Sequence, residues 1–320
     1  IHRDFEIAIA KFKGGEDAIV WPTGYTANLG VITAIMNPPK IGPSDFLKSK
    51  SIILSDELNH ASIVDACRMS RQKIIVYKHC DTKDLEKKLK KYSKRKKMVV
   101  TDGVFSMDGD IAPLDKIVPL CKKHNAMLMI DEAHATGMQG KNGHGTAEKF
   151  GLKPMEDIDI VLGTCSKALA ATGGFVVGSK DLIRYLRIAS RSYIFSTAMT
   201  PAASASLIAS LKVIETEPGI REKMWQNAEY LRKGFNNIGF NTLSSETQII
   251  PILIGSDNKA IEFSRRLFEE GIYGPCVRWP AVEKGKARIR FTVMSTHTNE
   301  QTDLLLKTCE VIGNELNLLG

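Results

Sequence analysis

Lys167 stands in Gly163-Thr164-Cys165-Ser166-Lys167-Ala168-Leu169, among small and apolar residues directly after an apolar strand pattern. Desolvation in such a setting disfavours the ammonium form and leaves a nucleophilic amine able to form a Schiff base. An ordinary surface lysine fits the same run. Asp131 closes Met127-Leu128-Met129-Ile130, with His134 three residues on. A carboxylate at a buried strand end costs on the order of several kcal/mol unless it meets a cation or strong donors. A protonated pyridine nitrogen is one such partner, and the pairing would make that ring an electron sink; a carboxylate capping a neighbouring loop is the other reading. His60, in Asp56-Glu57-Leu58-Asn59-His60-Ala61-Ser62, suits stacking on an aromatic ring or proton transfer, and equally a capping or core role.

Gly24-Tyr25 follows the apolar run Ala18 to Trp21 and opens a helical pattern reaching Ile35. That geometry aims backbone N–H groups and a helix dipole at an anion, for which a phosphate is the natural occupant. Thr164 could add a hydroxyl donor from a neighbouring strand end. The glycines of Ala171-Thr172-Gly173-Gly174 suggest a tight backbone near a ligand.

These residues need a scaffold, and the periodicity supplies one. Ala18 to Trp21, Ser51 to Leu54, Lys73 to Tyr77, Met98 to Thr101, Ala126 to Ile130 and Ile158 to Leu162 read as buried strands. Amphipathic stretches such as Asp84 to Tyr92 and Leu114 to His124 lie between them, so the alternation predicts an α/β fold with a mostly parallel sheet and helices on both faces. In such sheets ligands gather at the carboxyl ends of the strands, where the polar residues above fall. From Pro201 the texture changes to the long helical patterns Ala202 to Thr216 and Ile220 to Asn237. Strand and helix then alternate through Ile249 to Ile254, Lys259 to Glu270, Ala287 to Thr292 and Asn299 to Leu316. The expected domains are residues 1–205 and a smaller C-terminal one at 206–320. The chain opens inside a helical pattern, from which a further N-terminal segment is expected.

The 320 residues are 43% hydrophobic and 25% charged, an ordinary globular balance. The net charge of +8 owes much to Lys87 to Lys97, at the end of a surface helix pattern. A solvated helix face explains that run, and no nucleic-acid motif accompanies it. Cys67, Cys80, Cys121, Cys165, Cys276 and Cys309 include no C-x-x-C pair, so neither a zinc site nor a disulfide framework is expected, and a cytoplasmic location fits. No run approaches the roughly 18 apolar residues of a membrane span.

Taken together, the motifs carry a resemblance. Pro22-Thr23-Gly24-Tyr25-Thr26-Ala27-Asn28, Ser55 to Ser62, Asp102-Gly103-Val104-Phe105-Ser106-Met107-Asp108-Gly109-Asp110, Asp131-Glu132-Ala133-His134, Thr164-Cys165-Ser166-Lys167 and Ala287-Arg288-Ile289-Arg290-Phe291-Thr292 resemble, in this order, the α-oxoamine synthases, which use pyridoxal 5′-phosphate (PLP). The resemblance runs from the first residues to about His297. It implies the aspartate-aminotransferase (fold type I) architecture of PLP-dependent transferases, with a mostly parallel large-domain sheet and a smaller α+β domain. It also implies that Lys167 is the imine lysine and the α-proton base, that Asp131 holds the pyridine nitrogen, and that His134 and Ser106 contact the ring hydroxyl. His60 would stack on the ring and assist catalysis. Gly24, Tyr25 and Thr164 would hold the phosphate, joined by Ser196 and Thr197 of a partner subunit, which makes the expected assembly a homodimer. Arg290 resembles the family's carboxylate clamp, with Asn28 and Arg278 as further substrate residues.

Family members condense different amino acids with different acyl thioesters, delivered on CoA or an acyl carrier protein. Cys276-Val277-Arg278-Trp279-Pro280-Ala281-Val282 looks most like the biotin-pathway branch, which joins alanine to a pimeloyl thioester. Trp279 stands where that branch has a proline, and Ala281 where it has a threonine. The alternatives are the glycine C-acetyltransferase branch and a non-catalytic partner subunit; Lys167 speaks against the latter.

Overall fold

A computed structural model describes residues 1–38 and 51–319. They form two compact units, Ile1–Val104 with Ala112–Thr216, and Phe105–Ile111 with Glu217–Gly320. Among the described residues the first unit holds a seven-stranded sheet of β1 (Asp17–Trp21), β2 (Ile52–Asp56), β3 (Lys73–Tyr77), β4 (Lys97–Asp102), β5 (Ala126–Asp131), β6 (Ile160–Thr164) and β7 (Gly174–Gly178), in the order β1-β7-β6-β5-β4-β2-β3. Neighbours from β3 through β6 run parallel, whereas β7 is antiparallel to both β6 and β1.

Burial explains why these strands read as near-continuous apolar runs. Every residue of β2, β4, β6 and β7 is buried, whereas the edge strand β3 buries Tyr77 alone. Side chains alternate faces along a strand. Ile53, Val100, Met129 and Leu162 belong to one core cluster with Val31 and Ile32 of α2 (Gly24–Met36), Ile63 of α3 (Ala61–Met69) and Leu186 of α7 (Lys180–Ala189). The intervening Leu54, Val99, Leu128 and Ile130 are fully buried on the other face, where α5 (Leu114–Lys123) packs on β5 and touches α4 (Thr82–Lys91). The N-terminal helix α1 (His2–Lys13) packs on β1 and on α9 (Pro201–Thr216); α6 (Thr146–Lys149) and α8 (Arg191–Ile194) are single turns.

The second unit pairs β8 (Ile249–Gly255) and β9 (Cys276–Val277) antiparallel to a central β10 (Ala287–Thr292). Its own core unites Leu231 and Phe235 of α10 (Pro218–Ile238), Phe263 and Leu267 of α11 (Asp257–Glu269), Ile312 of α12 (Asn299–Glu315), and Ile252 and Ile289 of the sheet. Residues 105–111 belong here because Thr247 donates to the Gly109 carbonyl at 2.8 Å and Arg288 grips Asp108 at 2.6 Å.

Two differences from the sequence reading follow. The expected boundary at 205/206 falls inside α9, which packs on α1 and whose Ser210 donates to the Leu169 carbonyl, so the first unit extends to Thr216. The Gly173-Gly174 turn opens a strand: a Cβ on Gly174 would lie 2.5 Å from the Thr23 carbonyl oxygen, so glycine lets β7 close against the end of β1. No helix among the described residues is long and apolar enough to cross a membrane.

Candidate active site

Parallel strands deliver their carboxyl ends to one edge of the sheet, and β4 and β5 are paired so that Asp102 lies opposite Asp131. Both are buried, at 4% and 3% exposure. Asp131 accepts the Asn28 Nδ2 amide at 2.8 Å and the Ala133 N–H at 2.9 Å, donors that stabilise its charge. Burial nevertheless leaves its carboxyl above the ordinary range. Asp102 accepts the His60 backbone N–H at 2.7 Å. Burial first, and the Asp131 charge second, push it well above the ordinary range. With the extra donor on Asp131, Asp102 is the member of the pair that keeps a proton.

Asn28 sits on the first turns of α2, 1% exposed, and divides its amide hydrogens between Asp131 and the Ser62 hydroxyl oxygen at 3.0 Å. Its Oδ1 is buried with no hydrogen-bond partner among the described residues. Ser62 in turn lies 2.7 Å from His60 Nδ1, and its backbone N–H reaches the same nitrogen at 3.2 Å. Because the Ser62 backbone N–H donates to Nδ1, that nitrogen is an acceptor and the Ser62 hydroxyl proton is directed to it, so the neutral imidazole carries its hydrogen on Nε2. A chain of donors runs from Asn28 to both Asp131 and His60.

Thr23 caps α2, its hydroxyl accepting the Thr26 N–H at 3.1 Å in a capping box. A Cβ on Gly24 would sit 3.0 Å from Thr164 Cβ and 3.1 Å from its hydroxyl. The glycine therefore lets the N-terminus of α2 pack directly beside Thr164 at the end of β6. Tyr25 is exposed at 44% on the same turn. Lys167 follows β6 after Ser166. Its charge favours ionisation of both Asp102 and Asp131, which places it in their field. Its surroundings differ from the expectation: Cys165 and Leu169 are buried, but Lys167 is exposed, so desolvation by apolar neighbours is not what the structure offers this amine.

His134, partly buried, lies in the turn that leaves β5. Ser196 and Thr197 are exposed just beyond α8, next to Phe195 at 72% exposure. Within the second unit, Arg290 on β10 donates from Nε to the Ser106 carbonyl, and burial lowers its guanidinium pKa. Arg278 is exposed at the end of β9. The first unit thus brings together Asn28, His60 and Asp131, with Gly24 beside Thr164, and the second brings Ser106 to Arg290. Asn28, expected on the substrate, has its amide on Asp131. Asp102 and Ser62 acquire roles that the sequence reading did not give them. Both stand in the motifs quoted above, but their partners lie 42 and 34 residues away.

Comparison with known proteins agrees with this arrangement. The family model for class I and II aminotransferases matches residues 1–308. An 8-amino-7-oxononanoate synthase of Thermoanaerobacter pseudethanolicus is 44% identical over all of this chain and 78% of its own length. A serine palmitoyltransferase variant of S. paucimobilis, solved with a bound PLP–myriocin aldimine, superposes with a TM-score of 0.92 at 33% identity over 99% of this chain and 77% of that one. An 8-amino-7-oxononanoate synthase structure from Francisella tularensis gives 0.83 at 28% identity, covering 99% and 87%.

Proposed function

The chain belongs to the class I and II aminotransferase family, and we propose that it is a PLP-dependent acyltransferase that condenses L-alanine with a pimeloyl thioester, releasing carbon dioxide and the thiol to leave 8-amino-7-oxononanoate. The observation that carries the reading is Asp131: a buried carboxylate, neutralised by no cation in its own hydrogen bonds and tied through Asn28 and Ser62 to His60.

The residues present fit PLP. Asp131 is a socket for a protonated ring nitrogen, and the buried Asn28 Oδ1, on the side chain that bonds it, has no hydrogen-bond partner among the described residues. The N-terminus of α2 at Gly24, packed beside Thr164, is assigned to the phosphate, with Tyr25 on the same helix turn. Lys167 supplies the amine, and Ser106 and His134 are assigned to the ring hydroxyl. When bound, PLP supplies an electron sink for the charge left on the amino acid's α-carbon.

The chain's own residues do the rest. Asp131, held ionised by Asn28 and Ala133, keeps the ring nitrogen's proton in place. Lys167 takes the α-proton and returns one at the end. His60 turns its Nε2–H outward, a donor able to polarise the acyl carbonyl. Arg290, with its planar fork, holds the amino acid carboxylate until it leaves, and Arg278 is assigned to the acyl substrate; these two assignments rest on the family motifs. Ser196 and Thr197 are assigned to a partner subunit's phosphate site, which the exposed Ile194 and Phe195 next to them in the chain favour by marking an unburied apolar surface.

Borohydride treatment of the PLP-loaded protein, followed by peptide mass analysis, tests the anchor: the label is expected on Lys167, and labelling elsewhere or nowhere refutes the assignment. Alanine and glycine are then compared for α-proton exchange and product formation with pimeloyl and acetyl thioesters. Faster exchange and turnover with glycine would give the reaction to the glycine acetyltransferase branch.

A further inference from the structure

We propose that Asp56, His79 and Cys80 form a binding site for one divalent cation of the zinc class. The strands bring the three together. β2 and β3 run parallel with Asp56 opposite Tyr77, and Glu57 N–H bonds the Tyr77 carbonyl at 3.0 Å. The chain leaving β3 must therefore pass over the end of β2. There His79 Nδ1 comes 2.9 Å from Asp56 Oδ1, and the carboxylate, imidazole and thiol donor atoms all lie within 4.8 Å of one another.

The donor set is that of a zinc or cobalt site: one thiol, one imidazole and one carboxylate, with the fourth position left to water. Ligand atoms about 2.0–2.2 Å from a tetrahedral ion stand about 3.3–3.6 Å apart, so the His79 and Asp56 atoms, now at hydrogen-bond distance, need only a small opening. On binding, the Cys80 thiol gives its proton to water, and His79 carries its proton on Nε2 so that the Nδ1 lone pair reaches the metal. Outer contacts already orient the ligands. Asp56 accepts the Leu58 N–H on Oδ1 and the Cys80 N–H on Oδ2, each at 3.0 Å, and the His79 N–H reaches the Glu57 carboxylate at 3.3 Å.

Two further observations single out this cluster. Cys80 has φ 52, a left-handed backbone that suits glycine or asparagine far better than cysteine. It is also partly exposed, whereas Cys67, Cys121, Cys165 and Cys309 are buried thiols. Burial holds Cys67, Cys121 and Cys165 up at about 12, out of reach of a metal at neutral pH. A bound ion would tie the end of β2 to the turn after β3, just ahead of Asn59 and His60. None of this rests on the proposed activity.

Zinc uptake by the untagged, PLP-loaded protein is measured by equilibrium dialysis, and Co²⁺ is added as a spectroscopic probe read in the red, away from PLP absorption. One equivalent of zinc and an intense tetrahedral cobalt spectrum are expected. Cys80→Asn keeps the left-handed turn and removes the thiolate, and His79→Gln removes the imidazole. Each is expected to weaken binding at least on the order of tenfold to hundredfold and to abolish the cobalt bands, while Cys276→Ser leaves both unchanged. Thermal midpoints of the variants confirm folding. The proposal is overturned if the wild-type chain takes up no zinc, if Cys80→Asn binds as well as wild type, or if Cys276→Ser removes the signal.

Discussion

Ser62 has a single hydroxyl proton, and it goes to His60 Nδ1, which the Ser62 backbone N–H already marks as an acceptor. Ser62→Ala removes the hydroxyl that links Asn28 to His60 Nδ1 and leaves only the backbone N–H of residue 62 on that nitrogen. Turnover is expected to fall on the order of tenfold to a hundredfold; unchanged turnover would show that His60 needs no such support. Lys167→Ala is expected to abolish turnover while PLP still binds noncovalently, which visible absorbance after gel filtration would reveal, and retained turnover would rule Lys167 out as the base. Asp102 carries a pH dependence. Between the ordinary carboxylate value of about 4 and its raised folded value, the folded chain holds a proton that the unfolded chain has released, so stability declines as pH rises through that window. Asp102→Asn still accepts the His60 N–H and cannot ionise. It is expected to raise the thermal midpoint of the PLP-free protein in mild alkali, by about 2–4 °C per kcal/mol recovered, and by little in mild acid. An equal shift at both pH values would point to packing instead.

At the scale of elements, the turn that leaves β5 is held from a distance by α1. Lys13 donates to the Glu132 carboxylate at 3.2 Å, both side chains 1% exposed, and Glu132 also accepts the Thr146 N–H at 3.0 Å. Burial lowers the Lys13 ammonium pKa against the pull of Glu132. Gly145, at φ 118, is obligatory there, because a Cβ would fall 1.6 Å from Glu132 Oε2. Lys13→Met would strand a buried carboxylate next to Asp131 and is expected to cost about 3–5 kcal/mol in urea unfolding. Adding Glu132→Gln should restore most of that; if the double variant is no more stable than the single, the cost lies in α1 packing. Little of this was legible beforehand. Strand patterns were, because central parallel strands buried on both faces are apolar throughout: Met98 to Thr101 and Ala126 to Ile130 lie within one residue of the ends of β4 and β5. β7 was hidden because its glycines suggested a tight backbone near a ligand, and its pairing with β1 spans more than 150 residues. Asp131, His60 and Gly24 showed themselves by type and position at strand ends. Asp102 and Ser62 did not, since their roles depend on partners that only folding brings near, and the exposure of Lys167 was invisible to a reading of its neighbours in sequence.

At the scale of the whole molecule, each of the two units has its own core, and the groups assigned to the ring nitrogen, the phosphate and the covalent anchor all lie in the first. A ligand that binds the folded state stabilises it by mass action, by about 2.7 kcal/mol at a concentration one hundred times its Kd. Amide exchange reports where that stabilisation is spent, since segments that open locally gain protection only if the ligand contacts or braces them. Adding PLP to the cofactor-free protein is therefore expected to slow exchange in the first turn of α2 from Gly24, in residues 59–62 where His60 caps α3, in the turn from Asp131 to His134, and in residues 164–167. The amides of β8 and β10, packed around Phe235 and Phe263, serve as the reference and should change less. Protection confined to the second unit, or absent from the Asp131 turn, would contradict the placement of the ring nitrogen on Asp131. Protection in all four segments except residues 59–62 would leave the phosphate and anchor assignments standing and remove His60 from the ring.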